Sequence, residues 1–183
     1  MLFLARADIL TLLAIKNGKC IGVIGLRYFK LDSLLKLIRT GGMWWPEQAS
    51  SDNCISLEDG GFEDFGGRVF YQGGLYIAPQ HHGQGLDWYL SRMIRWLGFW
   101  HSGCSHALGG FTAKFPHGRD PHGYNGKPVV VTITNALDAN ANADADAGPL
   151  TMQLCTLSRE EALAAAENEK AAIKDRLWIR NAA

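Results

Sequence analysis

No stretch of this sequence stays apolar for the roughly 20 residues that a membrane-spanning helix requires, so a membrane partner is not expected. Charge of one sign is also missing: 18 Lys and Arg balance 18 Asp and Glu, leaving no overall field to recruit nucleic acid or an anionic surface. Cysteine is sparse. Cys20, Cys54, Cys104 and Cys155 form no Cys-x-x-Cys pair, which excludes a disulfide framework or a four-thiolate zinc site and suits a reducing cytoplasm. The opening residues, MLFLARADILTLLAIKNG, lack a basic leader region, and Arg6 and Asp8 interrupt the apolar residues before a signal core can form. What is left is a soluble, cytoplasmic chain of 183 residues, read as a single domain over 1–183.

Local patterns divide this domain into strands and helices. Ile9 to Ile15 and Cys20 to Phe29 are β-rich and joined by Asn17-Gly18, a strong hairpin turn. Leu34, Leu35, Leu37 and Ile38 make a short helical pattern between Asp32 and Trp45, stopped at Gly41-Gly42, and residues 46–67 read as a loop. Arg68 to Ile77 is the next strand, and its internal Gly73-Gly74 marks a bulge or a close approach. After Gly85 comes a helix with Leu86, Leu90, Met93 or Ile94, and Leu97 on its apolar stripe, and with Asp87, Ser91, Arg92 and Arg95 mostly off it.

Ala107 to Ala113, Pro128 to Thr134 and Leu150 to Leu157 complete the strands. The segment 135–149, rich in Asn, Asp and Ala, reads as a flexible excursion between paired strands because it has almost nothing to bury. Ser158-Arg159-Glu160-Glu161 matches a capping box opening a last helix to about Trp178. Its face of Leu163, Ala166, Ile173 and Leu177 packs on the body or on a second subunit, as in a homodimer.

Between the strand at 68–77 and the helix that follows lies Gln80-His81-His82-Gly83-Gln84-Gly85. A dinucleotide fingerprint would need a third glycine where Trp88 stands, and a P-loop would need Gly-Lys-Ser/Thr. A strand, a turn with free backbone N–H groups and a helix N-terminus remain, an arrangement suited to a phosphate or pyrophosphate.

In these residues the chain resembles the GNAT superfamily of acyl-CoA-dependent N-acyltransferases. The family pattern Gln/Arg-x-x-Gly-x-Gly/Ala is met at Gln80, Gly83 and Gly85, with Leu75, Ile77 and Pro79 in the customary places ahead of it. The resemblance implies an α/β fold of GNAT type: a central mixed, mostly antiparallel sheet flanked by helices. It implies acetyl-CoA or a related acyl-CoA as co-substrate, bound along Leu75, Ile77, Gln80, His81, His82, Gly83, Gln84, Gly85, Leu86 and Asp87. The implied reaction is transfer of the acyl group to a primary amine, with Tyr124 matching the tyrosine that protonates the leaving thiolate in many members. A non-catalytic acyl-CoA-binding or interaction domain of the same fold is the alternative.

Several positions depart from the family pattern. His82 stands where arginine is usual, which replaces a permanent charge by a side chain whose charge depends on pH near neutrality. Asp87 stands where a small residue is usual and puts a carboxylate in the first helical turn. The positions of the customary glutamate base are Gly73 and Gly74, so Glu63 and Asp64, acting through water, are substitute candidates. The strand and two helices that usually precede the hairpin have no evident counterpart, and the Asp32 to Trp45 segment is the candidate to replace their part in the acceptor pocket.

Other clusters carry less. His101, Cys104, His106, His117 and His122 lie near one another in sequence but match no zinc spacing, so no metal is expected. Asp138, Asn140, Asn142, Asp144 and Asp146 begin like a calcium loop, but Ala143 and Pro149 occupy the places of its glycine and final glutamate. Trp88, Tyr89, Trp96 and Trp100 have no basic stripe beside them and read as helix packing rather than a platform for bases.

Overall fold

Eight strands form one sheet in the computed structural model, which describes residues 2–5, 8–44, 55–57, 63–112, 129–133, 150–166 and 170. In chain order the elements are β1 (Leu2–Ala5), β2 (Ile9–Lys16), β3 (Lys19–Leu31), α1 (Leu34–Arg39), β4 (Ile55–Leu57), β5 (Gly67–Ile77), α2 (Leu86–Ser102), β6 (His106–Thr112), β7 (Val129–Ile133) and β8 (Leu150–Ser158). A third helix, α3, follows over residues 159–166. The sheet order is β1-β2-β3-β5-β6-β8-β7-β4, and every neighbouring pair is antiparallel except β5 and β6. The expected mixed, mostly antiparallel sheet is therefore present.

The β2–β3 hairpin closes where the sequence places it. Asn17 (φ 52°) and Gly18 (φ 73°) both take left-handed angles, the requirement of the tight turn whose twist matches its strands. Strand β1 pairs with β2, so a strand does precede the hairpin, contrary to the sequence reading. Residues 46–67 are likewise more than a loop, because Ile55–Leu57 forms β4 against β7. Three residues are too few to carry a period, and this strand exists only through its partner.

Helices cover both faces. On one, Leu90, Ile94 and Phe99 of α2 pack with Leu10, Leu12, Ile24, Leu26 and Phe70 of the sheet. On the other, Leu34 and Ile38 of α1 pack with Val69, Leu108, Val131 and Leu154. Helix α1 stops where its sequence suggests, the chain turning away at Gly41 (φ 71°), and it is capped at its start by the Ser33 Oγ, which accepts from the Lys36 N–H at 3.0 Å.

The apolar stripe of α2 runs through Leu90, Ile94 and Leu97, Ile94 rather than Met93 filling the third place, but the buried face is wider than that stripe. Ser91, Arg92 and Arg95 are buried, Arg95 to 1% exposure, whereas Met93 is exposed. Arg92 lies with its guanidinium 4.0 Å from the centre of the Trp88 ring, which lets an aromatic face lower the cost of burying a cation. Helix α3 opens with the predicted capping box: Ser158 N–H donates to Glu161 Oε2 at 2.7 Å, and Glu161 N–H donates to Ser158 Oγ at 3.1 Å. Its buried side chain is Ala162 rather than Leu163, which is 56% exposed; Ile173 and Leu177 lie outside the described residues.

Gly98 brings α2 close to the sheet. A Cβ there would lie 2.8 Å from Leu26 Cδ2 and 2.9 Å from Phe70 Cε1. Alanine in place of a helix-interior glycine ordinarily gains about 1 kcal/mol, but Gly98→Ala is expected to lose about 1 kcal/mol by overpacking. A lowered urea midpoint at unchanged slope is the expected readout; a raised midpoint would mean that the two sheet side chains yield freely.

Candidate functional site

Strand β5 ends in the turn that leads to α2. Pro79–His81 makes one turn of 3-10 helix, with the His81 N–H donating to the Ala78 carbonyl and the His82 N–H to the Pro79 carbonyl. Gly83 (φ 72°) and Gly85 (φ 74°) then take left-handed angles that a side chain would resist. Gly85 is the N-cap of α2, and no side chain caps the helix there. Among the described residues, no carbonyl or side chain takes the N–H groups of Gly83, Gln84 or Gly85. The turn thus ends in unused donors at the positive end of a 17-residue helix, the physical requirement for holding an anion.

Side chains brace this turn from outside. His82 Nε2 lies 2.8 Å from the Ile77 carbonyl, His81 Nδ1 lies 3.2 Å from Gln84 Oε1, and Gln84 Nε2 donates to the Gln80 carbonyl at 3.2 Å. The His82 contact requires a proton on Nε2, because a carbonyl only accepts. His82, expected at the phosphates, is folded back on β5 by this bond. Leu86 and Asp87 are half-buried in the first turn of α2.

A fork opens beside the turn. Strands β5 and β6 pair in parallel over four positions, Val69 with His106 through Gln72 with Gly109, and no further. Both strands continue. Strand β5 runs on to Ile77 against β3, while β6 runs to Thr112 against β8. The divergence begins at a bulge, where Gly74 and Leu75 together face Ile24 of β3 and Gly74 takes φ 65°. A bulge bends its strand, and here it turns the end of β5 away from β6. Five residues of β5 edge, about 16 Å at the usual strand rise, face the gap and lead to the turn. Leu75 and Ile77 are half-buried against the α2-side core, so their backbone, rather than their side chains, borders the opening.

Gly73 and Gly110 are the first residues past the last parallel pair, one on each arm. The ring of Tyr71 lies over both. A Cβ at Gly73 would stand 2.9 Å from Tyr71 Cε1, and a Cβ at Gly110 would run into the phenolic oxygen. Burial pushes the Tyr71 hydroxyl above its usual range. The sequence reading missed Tyr71, since the two glycines that make room for it belong to different strands.

The substitute base candidates are not at the fork. Asp64 precedes β5 and accepts from Ser33 Oγ at 2.8 and 3.0 Å and from the Leu35 N–H at 3.0 Å, so it caps α1 at the far end of the strand from the turn. The backbone bond from Leu35, then the one from Ser33, holds its pKa below the ordinary carboxylate value. Glu63 is exposed beside it. No group of three or more His, Cys, Asp or Glu side chains suited to a metal occurs among the described residues, and none of the helices described is long and apolar enough to cross a membrane. Tyr124, His117, His122 and the 135–149 segment lie outside the described residues.

No family model matches the chain, and neither does any curated protein. Solved structures similar to it include the aminoglycoside acetyltransferase AAC(6')-Ib with coenzyme A and kanamycin, at TM-score 0.45 and 16% identity over 84% of this chain and 69% of that one. The same enzyme with coenzyme A alone matches at TM-score 0.43 and 16% identity, over 84% and 68%. The CoA-dependent acyl-homoserine lactone synthase BjaI, with SAM and isopentyl-CoA, matches at TM-score 0.44 and 10% identity, over 89% and 65%.

The Asp64 cap has a pH signature. Its folded pKa lies below the unfolded one, so its stabilising contribution is complete above the unfolded value and is lost as pH falls through the folded value. Wild type should therefore exceed Asp64→Asn in urea midpoint at pH 6, and the gap should close below about pH 4. A gap that does not narrow at all as the pH is lowered below about 4 would show that the charge is not what holds the cap.

Proposed function

We propose that this chain is a GNAT-type acyltransferase that transfers the acyl group of acetyl-CoA, or a related acyl-CoA, to a primary amine. One observation carries the reading: a fork between parallel strands leads directly to a turn whose unused N–H groups crown a helix. An acyl-CoA has a matching shape, with an anionic pyrophosphate at one end of an extended amide-bearing arm and the thioester at the other.

In this reading the N–H groups of Gly83, Gln84, Gly85 and the first turn of α2 hold the pyrophosphate. Gln80, His81, His82, Leu86 and Asp87 border it. The arm enters the fork along the β5 edge beside Leu75 and Ile77, where backbone groups left without a strand on that side bond its amides. The thioester then reaches the inner end of the fork, near Gly73 and Gly110. The amine approaches from the α1 face, loses its proton through water and attacks the carbonyl, and Tyr124 protonates the departing thiolate. The acceptor is a primary amine: a small amine, a peptide or an antibiotic. A cytoplasmic location and a homodimer through α3 complete the proposal.

A second reading has one observation in its favour. The two positions that would carry the base are glycines, and the Tyr71 ring fills the space that a side chain at 73 would need. A non-catalytic acyl-CoA-binding domain would keep the fork and the turn without turnover. Product formation in the presence of candidate amines separates the two.

Calorimetric titration with acetyl-CoA tests the binding claim. Wild type is expected to bind, and Gly83→Val to bind about tenfold more weakly, since a β-branched residue at φ 72° costs about 1–2 kcal/mol and disturbs the turn. Equal affinities, or no binding by wild type, would remove the proposal.

Asp87→Ala is expected to tighten binding. A carboxylate within roughly one helical turn of a pyrophosphate repels it by about 1 kcal/mol after screening, a several-fold effect that shrinks as salt rises. Loss of the favourable dipole contact should slightly lower the melting temperature without ligand. Weaker binding by the alanine variant would mean that Asp87 contacts the ligand productively.

A further inference from the structure

Tyr71 stands at the inner end of the fork in a place that two absent side chains create. Its own Cα belongs to the paired stretch, opposite Leu108. Its ring reaches forward, past the last pair, so that one edge covers Gly73 of β5 and its oxygen covers Gly110 of β6. An alanine at either glycine would collide with the phenol. The phenol is thus held across the point where the two strands part.

The hydroxyl also has a proton to give. No acceptor among the described residues engages the Tyr71 hydroxyl, so the phenolic proton is left for another partner. Burial keeps that proton in place at neutral pH. A neutral donor fixed by packing before any ligand arrives is the kind of group that stabilises a charge developing in a reaction, because it pays no reorganisation cost.

We infer that Tyr71 is a catalytic residue whose hydroxyl donates a hydrogen bond to the thioester carbonyl oxygen of the bound acyl-CoA. The inference rests on the acyltransferase reading. It assigns Tyr71 a role separate from that of Tyr124: no proton is transferred, the carbonyl oxygen gains negative charge as the amine adds to its carbon, and the bond strengthens as that charge grows. It also gives Gly73 a purpose. The position of the customary base is empty because the phenol occupies its space, and the carbonyl is polarised by a neutral donor instead.

Acetyl-CoA labelled with carbon-13 at its carbonyl provides a test that needs no acceptor. Hydrogen bonding lowers the carbonyl stretching frequency, and an isotope-edited infrared spectrum isolates that band. Wild type is expected to shift the band of bound acetyl-CoA below its frequency in water. Tyr71→Phe should bind with affinity within about tenfold of wild type but lose the shift. Gly110→Ala, which keeps the phenol and displaces it, should lose the shift as well, and decides the matter if Tyr71→Phe fails to fold. A wild-type shift retained in either folded variant would overturn the role of Tyr71 while leaving the acyltransferase reading intact. Failure of wild type to bind acetyl-CoA by calorimetry would overturn both.

Discussion

Among the described strands, a single parallel pairing inside an otherwise antiparallel sheet governs this structure. Antiparallel neighbours can be joined by a turn, as β2 and β3 are, but β5 and β6 run the same way and require a crossover. Helix α2 is that crossover, and its N-terminus must therefore lie at the end of the sheet where β5 finishes. The same pairing is short, because a bulge at Gly74 turns β5 toward β3 while β6 stays with β8. The open edge, the glycine turn and the uncapped helix end are consequences of one local choice of strand direction.

Local chemistry was legible in the sequence, and partnership across the fold was not. Asn17-Gly18, the glycines at 83 and 85, and the Ser158–Glu161 box each act within a few residues, and each does what its residue types require. Strand β4 was unreadable because three residues form it and β7 defines it. The burial of Arg92 and Arg95 ran against the rule that charge faces water; Trp88 under the Arg92 guanidinium is a neighbour that a helical wheel does not weigh.

At the candidate site the division is the same. The turn motif marked one end of the fork, and Gly73-Gly74 marked the bulge where it begins. Asp64 looked like a base by its position ahead of the strand, yet three hydrogen bonds commit it to α1. Tyr71 gave no signal, because its significance lies in Gly73 and Gly110, which become neighbours only when β5 and β6 pair. Tyr124 lies outside the described residues, so its role rests on the resemblance alone.

The four-residue pairing is also a seam. On one side lie β1, β2, β3 and β5, three successive antiparallel pairings of which β2–β3 is a tight hairpin; on the other lie β6, β8, β7 and β4, whose outermost pair joins residues 55–57 to 131–133. Segments close in sequence meet quickly, and those far apart in sequence must first overcome the entropy of closure. The first half can therefore organise early, with α2 laid against it, while the second assembles along the exposed edge of β5. Strand β4 breaks this order, since it precedes β5 in the chain but sits at the outermost edge of the late half. It ties the two halves together as a lace does, and the chain cannot complete its sheet until that strand has been carried across the seam.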